Sequence, residues 1–194
     1  MADATSLPFL ARIRQLLPAR LARRFARRQD GAAAVEFALV AAPFLALTFA
    51  ILETAFVFFA QQTLEATASD AARLVMTGQA QTAGYAQGDF KTAVCARVYG
   101  LFDCAGGMTV DVKTYTTFGT VNNTPPVTNG VFDTTKAGYV PGGPGCIVVV
   151  TLYYQWPIYV SMYNTGLSNL SGNKRLLVAT SVFRNEPYGP AGSC

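Results

Sequence analysis

The sequence predicts an α+β protein: a long N-terminal transmembrane helix that continues into a small head with a short helix and an antiparallel β-sheet. Three observations point there. Residues 32–60 are apolar apart from Glu36 and Glu53, and the chain then turns amphipathic through residue 77 with no glycine or proline. Three runs rich in β-branched and aromatic residues follow at 108–115, 146–156 and 175–183. Apolar residues make up 51% of the 194 and charged residues only 13%, too few for a freely soluble domain. The predicted division is a basic cytoplasmic leader at 1–31, a transmembrane helix at 32–60, its extension at 61–78, and an extracytoplasmic head at 79–194.

Charge sets the orientation. Residues 1–31 hold seven arginines, Arg12, Arg14, Arg20, Arg23, Arg24, Arg27 and Arg28, against Asp3 and Asp30, while the rest of the chain is close to neutral. That cluster reads as a topogenic signal that keeps the N-terminus on the cytoplasmic side, and it leaves no basic face downstream for nucleic acid. Leu7, Leu10, Ile13, Leu17, Leu21 and Phe25 alternate with the arginines, as in a basic amphipathic helix on the inner leaflet. Ala32 to Ala60 as a helix would measure about 43 Å, against a hydrocarbon core of ~30 Å. A cleaved secretory signal is excluded, because the apolar core is too long and Phe58-Phe59-Ala60 puts a bulky ring where cleavage needs a small residue.

A carboxylate at the threshold of a membrane span needs a reason. Cleavage after Gly31 would make Ala32 the new N-terminus and Glu36 its fifth residue. The liberated amine and the acid, one turn apart on the same or a neighbouring chain, could pair and spare each other desolvation. Such a pair would also set the stagger between adjacent helices. Pro43 cannot donate to the carbonyl of Leu39, so a modest bend is expected there. Glu53 lies near the outer end of the span. It either snorkels to headgroups or pairs with a basic residue on another subunit.

These residues resemble a known family. The stretch "DGAAAVEFALVAAPFLALTFAILE", then "AARLVMTG" and "FRNEPY" at 183–188, is similar to the TadE-like proteins, pilin-like subunits of the tight-adherence (Tad) machinery that builds bacterial Flp pili. The matching positions are Gly31, Glu36, Phe37, Ala38, Leu39, Pro43, Glu53, Arg73 and Gly78. The resemblance implies a pilin-like fold, no enzymatic activity, no cofactor, and removal of the leader by a prepilin peptidase. It also implies a bacterial inner-membrane location with a periplasmic head, and association with a pilus used in adhesion and secretion. Partners would be other pilin-like subunits and assembly-platform proteins, with Pro43, Glu53, Arg73, Arg184 and Glu186 as candidate contacts. The stretch from Phe118 to Gly145 carries no family motif.

Within the head, Asp89 is placed to cap a short helix whose apolar residues are Phe90, Val94, Val98 and Leu101. "CIVVVTLYYQW" at 146–156 is apolar on both faces and reads as the central strand. The Thr/Asn/Gly/Pro-rich stretch after 115 reads as an exposed loop. Leu64, Ala68, Ala71, Ala72 and Val75 make one stripe on the helix extension, and Gly78 stops it. Asp70 and Arg73 are spaced as a weak helical ion pair. Tyr153, Tyr154, Trp156, Tyr159 and Tyr163 form an aromatic cluster, read first as core.

Four cysteines, all beyond the apolar run, suggest disulfides in an oxidising compartment. Cys95 and Cys104 would be ~13 Å apart in an unbroken helix, too far to bridge, but a break at Gly100 lets the chain fold back. The preferred pairing is Cys95–Cys104, with Cys146–Cys194 tying down the C-terminus. With no histidine, the commonest general base and metal ligand are both missing, so no catalytic or metal-binding residue is assigned. The function expected is a minor pilin or pseudopilin. The alternative is a membrane-tethered enzyme or binding module.

Overall fold

The computed structural model describes residues 31–98, 100, 102–160, 166–190 and 194. The predicted leader helix, Leu101 and Tyr163 lie outside these. The described chain falls into two compact units that divide after Thr48.

One helix, α1, runs from Ala32 to Met76 and continues through Pro43 without interruption. In its first unit the side chains are exposed or half-exposed. Its most apolar eighteen-residue window has a mean hydropathy of 2.2, and none of that window is buried. This is one helix long and apolar enough to cross a membrane.

The second unit is the head together with the rest of α1. Here α1 buries one stripe, Glu53, Val57, Ala60, Leu64, Thr67, Ala68, Ala71, Leu74 and Val75, at the three- and four-residue spacing of a helix face. Burial therefore starts at Glu53, eight residues before the predicted start of the extension at 61. An apolar run reads the same whether lipid or a protein core will cover it, so composition does not show where the head begins to pack on the helix.

Beyond Met76 come α2 (Gln79–Thr82), α3 (Gln87–Cys95) and α4 (Cys104–Gly107). Asp89 caps α3 in a different way from that expected. It sits in the first turn, and its carboxylate accepts the Ala86 backbone N–H at 3.0 Å. The helix closes at Cys95, so Val98 falls beyond it. There the chain doubles back, and the disulfide Cys95–Cys104 joins α3 to α4 with Cα atoms 5.7 Å apart.

The sheet is three-stranded and antiparallel. Its order is β1 (Met108–Tyr115), then the central β4 (Ile147–Pro157), then β5 (Lys174–Arg184). Met108 pairs with Tyr154 and Tyr115 with Ile147; Ile147 pairs with Arg184 and Pro157 with Lys174. β4 is apolar on both faces because both are covered. Val148, Val150, Leu152 and Tyr154 pack with the α1 stripe, Phe90 and Val94. Tyr153 turns the other way, into a smaller cluster with Phe132, Leu170 and Leu176.

Residues 116–130 are exposed or half-exposed, as the expected loop requires, and the second cover comes from just beyond them. The chain there forms a hairpin, β2 (Val127–Thr128) with β3 (Val131–Phe132), turned by Asn129 and Gly130 at φ of 51° and 74°. Both central residues are left-handed, as a type I′ turn requires, and Asn-Gly is its commonest sequence. Phe132 is buried against Tyr153, with ring centroids 4.9 Å apart. Further on, Val112 donates to Gly138 O and accepts from Val140 N–H, both at 2.8 Å, covering the outer edge of β1. Buried Asp111 holds the same segment, accepting Gly138 N–H at 2.8 Å and the Lys113 ammonium at 2.7 Å.

The aromatic cluster expected from sequence is thus divided between the two faces. Tyr154 packs with Phe102 and Trp156 on the helix side, Tyr153 lies opposite, and Tyr159 is 81% exposed. Burial raises the Tyr139 and Tyr153 phenols from the ordinary 10 to about 12, with the nearby charges of Asp89 and Asp111 respectively adding to it. A raised folded-state value means the unfolded chain loses these protons first. Stability is intact below about pH 10 and is lost as pH rises towards 12. Alkaline difference spectroscopy should find these among the last of the nine tyrosines to ionise.

Tyr139 supports a second prediction. Its hydroxyl is buried with no hydrogen-bond partner, while its ring packs on Phe90 at 5.3 Å. Tyr139→Phe keeps the packing and removes the orphaned group, so it should leave stability unchanged or raise it by about 1 kcal/mol in denaturant unfolding.

Candidate functional site

Three places on the chain hold the residues singled out by sequence. The first is the start of α1. Gly31 opens the helix, is exposed, and has nothing within 4 Å of where a Cβ would stand. Ala32 follows, and Glu36 lies one turn further in, its side chain exposed. Pro43 is also exposed. This end of the helix offers an open backbone at Gly31 and a carboxylate one turn from the amine that cleavage would create.

The second place is Glu53, and here the structure differs from both sequence readings. Glu53 is 8% exposed. Its carboxylate accepts two backbone N–H groups from the turn after β4, those of Tyr159 and of Val160, the latter at 2.9 Å. Within the chain its partners are these two backbone amides, an arrangement that neither reading of the sequence foresaw. Charge-assisted bonds of this kind are about twice as strong as neutral ones. Two turns on, the Gln61 amide donates to Val178 O on β5 at 2.9 Å. Glu53 and Gln61 thus fix α1 to the head by polar contacts that helical periodicity does not reveal.

The third place joins the far end of α1 to the C-terminal motif. α1 ends at Met76, and Gly78 has φ of +75°. The Tyr188 ring sits over it, so close that a Cβ on Gly78 would stand 2.6 Å from the ring carbons. Glu186 N–H donates to Met76 O at 2.9 Å, satisfying a carbonyl that the helix end leaves free. Asn185, buried, continues the β4–β5 ladder by donating to Cys146 O at 2.8 Å. Its side-chain amide donates to Pro141 O and Gly143 O, each at 3.0 Å. Gln81 from α2 reaches Val75 O and Pro141 O at 3.1 Å. Arg184 donates through Nε to Gly145 O at 2.8 Å. Burial raises the Tyr188 phenol above its ordinary value, while the neighbouring amide side chains of Asn185 and Gln81 act the other way.

"FRNEPY" is therefore a latch that ties the end of the sheet to the end of the long helix. Arg184 and Glu186 are not paired with each other; among the described residues the ion pair is Lys113–Asp111. Arg73 is exposed, and it forms no ion pair with Asp70. Sequence reasoning missed Asn185, Tyr188 and Gln81. Only Asn185 and Tyr188 carried a signal, their place inside the motif. The disulfide Cys146–Cys194, Cα atoms 5.5 Å apart, anchors the tail just beyond the latch. By chain-entropy arguments, closing a loop of 48 residues adds about 4 kcal/mol.

An exposed, strongly apolar helix leading into an α+β head with both faces of its sheet covered defines a class: an anchor-and-head protein with, among the described residues, one apolar helix that fits one membrane pass. Residues 31–73 match the model of the TadE-like protein family. The match begins at Gly31 and takes in Glu36, Pro43, Glu53 and Arg73; the Gly78–Tyr188 latch lies outside it. The family is a structural one, associated with the Tad pilus system and the membrane. No curated protein and no solved structure matches the chain.

Proposed function

We propose that the chain is a pilin-like structural subunit, a minor pilin or pseudopilin, of a Tad-type pilus. A prepilin peptidase cuts after Gly31 on the cytoplasmic side, and the mature chain stays in the inner membrane with its head outside. The single observation that carries this reading is that the family match starts at Gly31 and contains Glu36, on a helix end that is open to solvent. Glu36 then meets the new Ala32 amine of its own or a neighbouring chain, which neutralises two charges entering lipid and sets the axial offset between subunits. Contacts with other pilin-like subunits and platform proteins fall to the exposed faces of α1, including Pro43, and to exposed Arg73.

Because the head takes hold of α1 at Glu53, the lipid-crossing stretch is Ala32–Leu52. At ~1.5 Å per residue it measures about 31 Å, closer to a core of ~30 Å than the 43 Å first expected. The four cysteines are taken up in two disulfides, which suits a structural subunit in an oxidising compartment.

Co-expression with the peptidase and N-terminal sequencing of the product test the reading. The expected terminus is Ala32. An intact leader, or a terminus elsewhere, contradicts it. Glu36→Gln should leave cleavage intact but reduce co-purification with partner subunits; unchanged assembly would remove Glu36 from the proposed role.

A further inference from the structure

We infer that the end of the head nearest Glu53 rests on the bilayer, with the Ile158–Val160 turn as a docking surface for the phospholipid headgroup layer. The inference rests on the reading of Ala32–Leu52 as the membrane span, and adds that the head is seated on the membrane rather than held away from it.

The turn is locked to α1 at the level where the helix first buries a face. Glu53 accepts its N–H groups at Tyr159 and Val160, and Ile158 N–H donates to Asn173 O at 2.8 Å, so the turn is held from both sides. Ile158 is buried beneath it. The Tyr159 side chain is nevertheless 81% exposed, on a backbone that leaves it little freedom to withdraw. A tyrosine has an apolar ring and a polar tip, the chemistry favoured at headgroup depth.

The helix beside the turn has the same character. Phe56, Phe58 and Phe59 lie within two turns of Glu53, and each is more than half exposed. Three such rings in water are costly; lipid at the interface would cover them. Lys174, exposed, pairs with Pro157 at this end of the sheet and brings a cation to the level of lipid phosphates. The opposite end of the sheet, where Tyr115 pairs with Ile147, is ten residues along β4 from Pro157, about 33 Å away. Exposed Phe118 follows that end and serves as a distant control.

The test uses the full chain in phospholipid vesicles, with and without lipid brominated near the top of its acyl chains. Tyr159→Trp, Phe44→Trp and Phe118→Trp are each compared with the unsubstituted chain, whose one tryptophan is Trp156. The expected result is a loss of emission on bromination for Tyr159→Trp and Phe44→Trp, with Phe44→Trp quenched more by deeply placed bromine, and no loss for Phe118→Trp. If Phe44→Trp is quenched but Tyr159→Trp behaves like Phe118→Trp, docking is overturned while the span stands. If Phe44→Trp escapes quenching, the span reading falls and docking falls with it. If Tyr159→Trp emission follows the protein-to-lipid ratio and ignores bromine, a second copy of the chain covers the turn, and docking is again overturned.

Discussion

Gly78→Ala is expected to destabilise the head by about 2–4 kcal/mol, the sum of a left-handed backbone penalty and a steric one. Gly78 has φ of +75°, a conformation that disfavours any Cβ. The added methyl would also stand 2.6 Å from the Tyr188 ring, so the ring must leave its seat. When it does, the neighbouring Glu186–Met76 bond and the Asn185 contacts lose their anchor. The two parts separate in a double-mutant cycle. In a Tyr188→Ala background only the backbone penalty remains, about 1–2 kcal/mol, and the difference is the steric coupling. Denaturant unfolding in detergent measures both; equal costs in the two backgrounds would mean that Tyr188 does not rest on Gly78.

Glu53→Ala should be comparably severe, at about 3 kcal/mol, because it strips acceptors from two N–H groups in a tight turn and loses charge-assisted bonds. Glu53→Gln keeps the shape and one acceptor, and should cost about half as much. Hydrogen exchange at the Tyr159 and Val160 amides is the most direct readout, and both should lose protection in the alanine variant. The result also separates two roles for this acid. If its function were to pair with a basic residue on another subunit, Glu53→Ala would impair assembly while the isolated chain kept its stability and its protected amides.

These two positions show where sequence was sufficient and where it was not. The three strands emerged within a residue or two, because alternation and β-branching are local signals that the sheet only had to accept. β4 was legible as the central strand for the same reason: it is apolar on both faces. What covers its second face was not legible. The Thr/Asn/Gly/Pro-rich stretch 116–130 reads as an exposed loop and is exposed or half-exposed, yet just beyond it Phe132 packs on Tyr153 through a hairpin whose Asn-Gly turn was in plain view. Composition outweighed that two-residue signal, although the turn chemistry pointed the other way. Tyr153 and Tyr154 read as neighbours in one cluster, but a strand sends successive side chains to opposite faces.

The candidate site divides along the same line. Gly31, Glu36 and the apolar run are legible as candidates, because an acid and a glycine beside arginines at the mouth of a membrane-length segment are unusual in any context. Glu53 belongs to the same motif and looked like the same kind of feature. Its partners are backbone amides 106 and 107 residues away, and amides have no signature in a sequence. The FRNEPY motif was recognisable, but its use was not, since it depends on Gly78 and Met76 lying beside it in space.

By itself the sequence determined that a long apolar helix leads into an α+β head, which end is basic, and where cleavage and pairing are to be sought. Each of those follows from the order of residue types along the chain. Only the tertiary structure decided that the head takes hold of the helix at Glu53, that the C-terminal motif closes onto Gly78, and that Phe132, just past the Thr/Asn-rich stretch, covers the sheet. The physical reason is that burial and backbone hydrogen bonding join residues far apart in the chain. A carboxylate among apolar neighbours looks the same whether a lipid headgroup, another subunit or its own backbone will satisfy it.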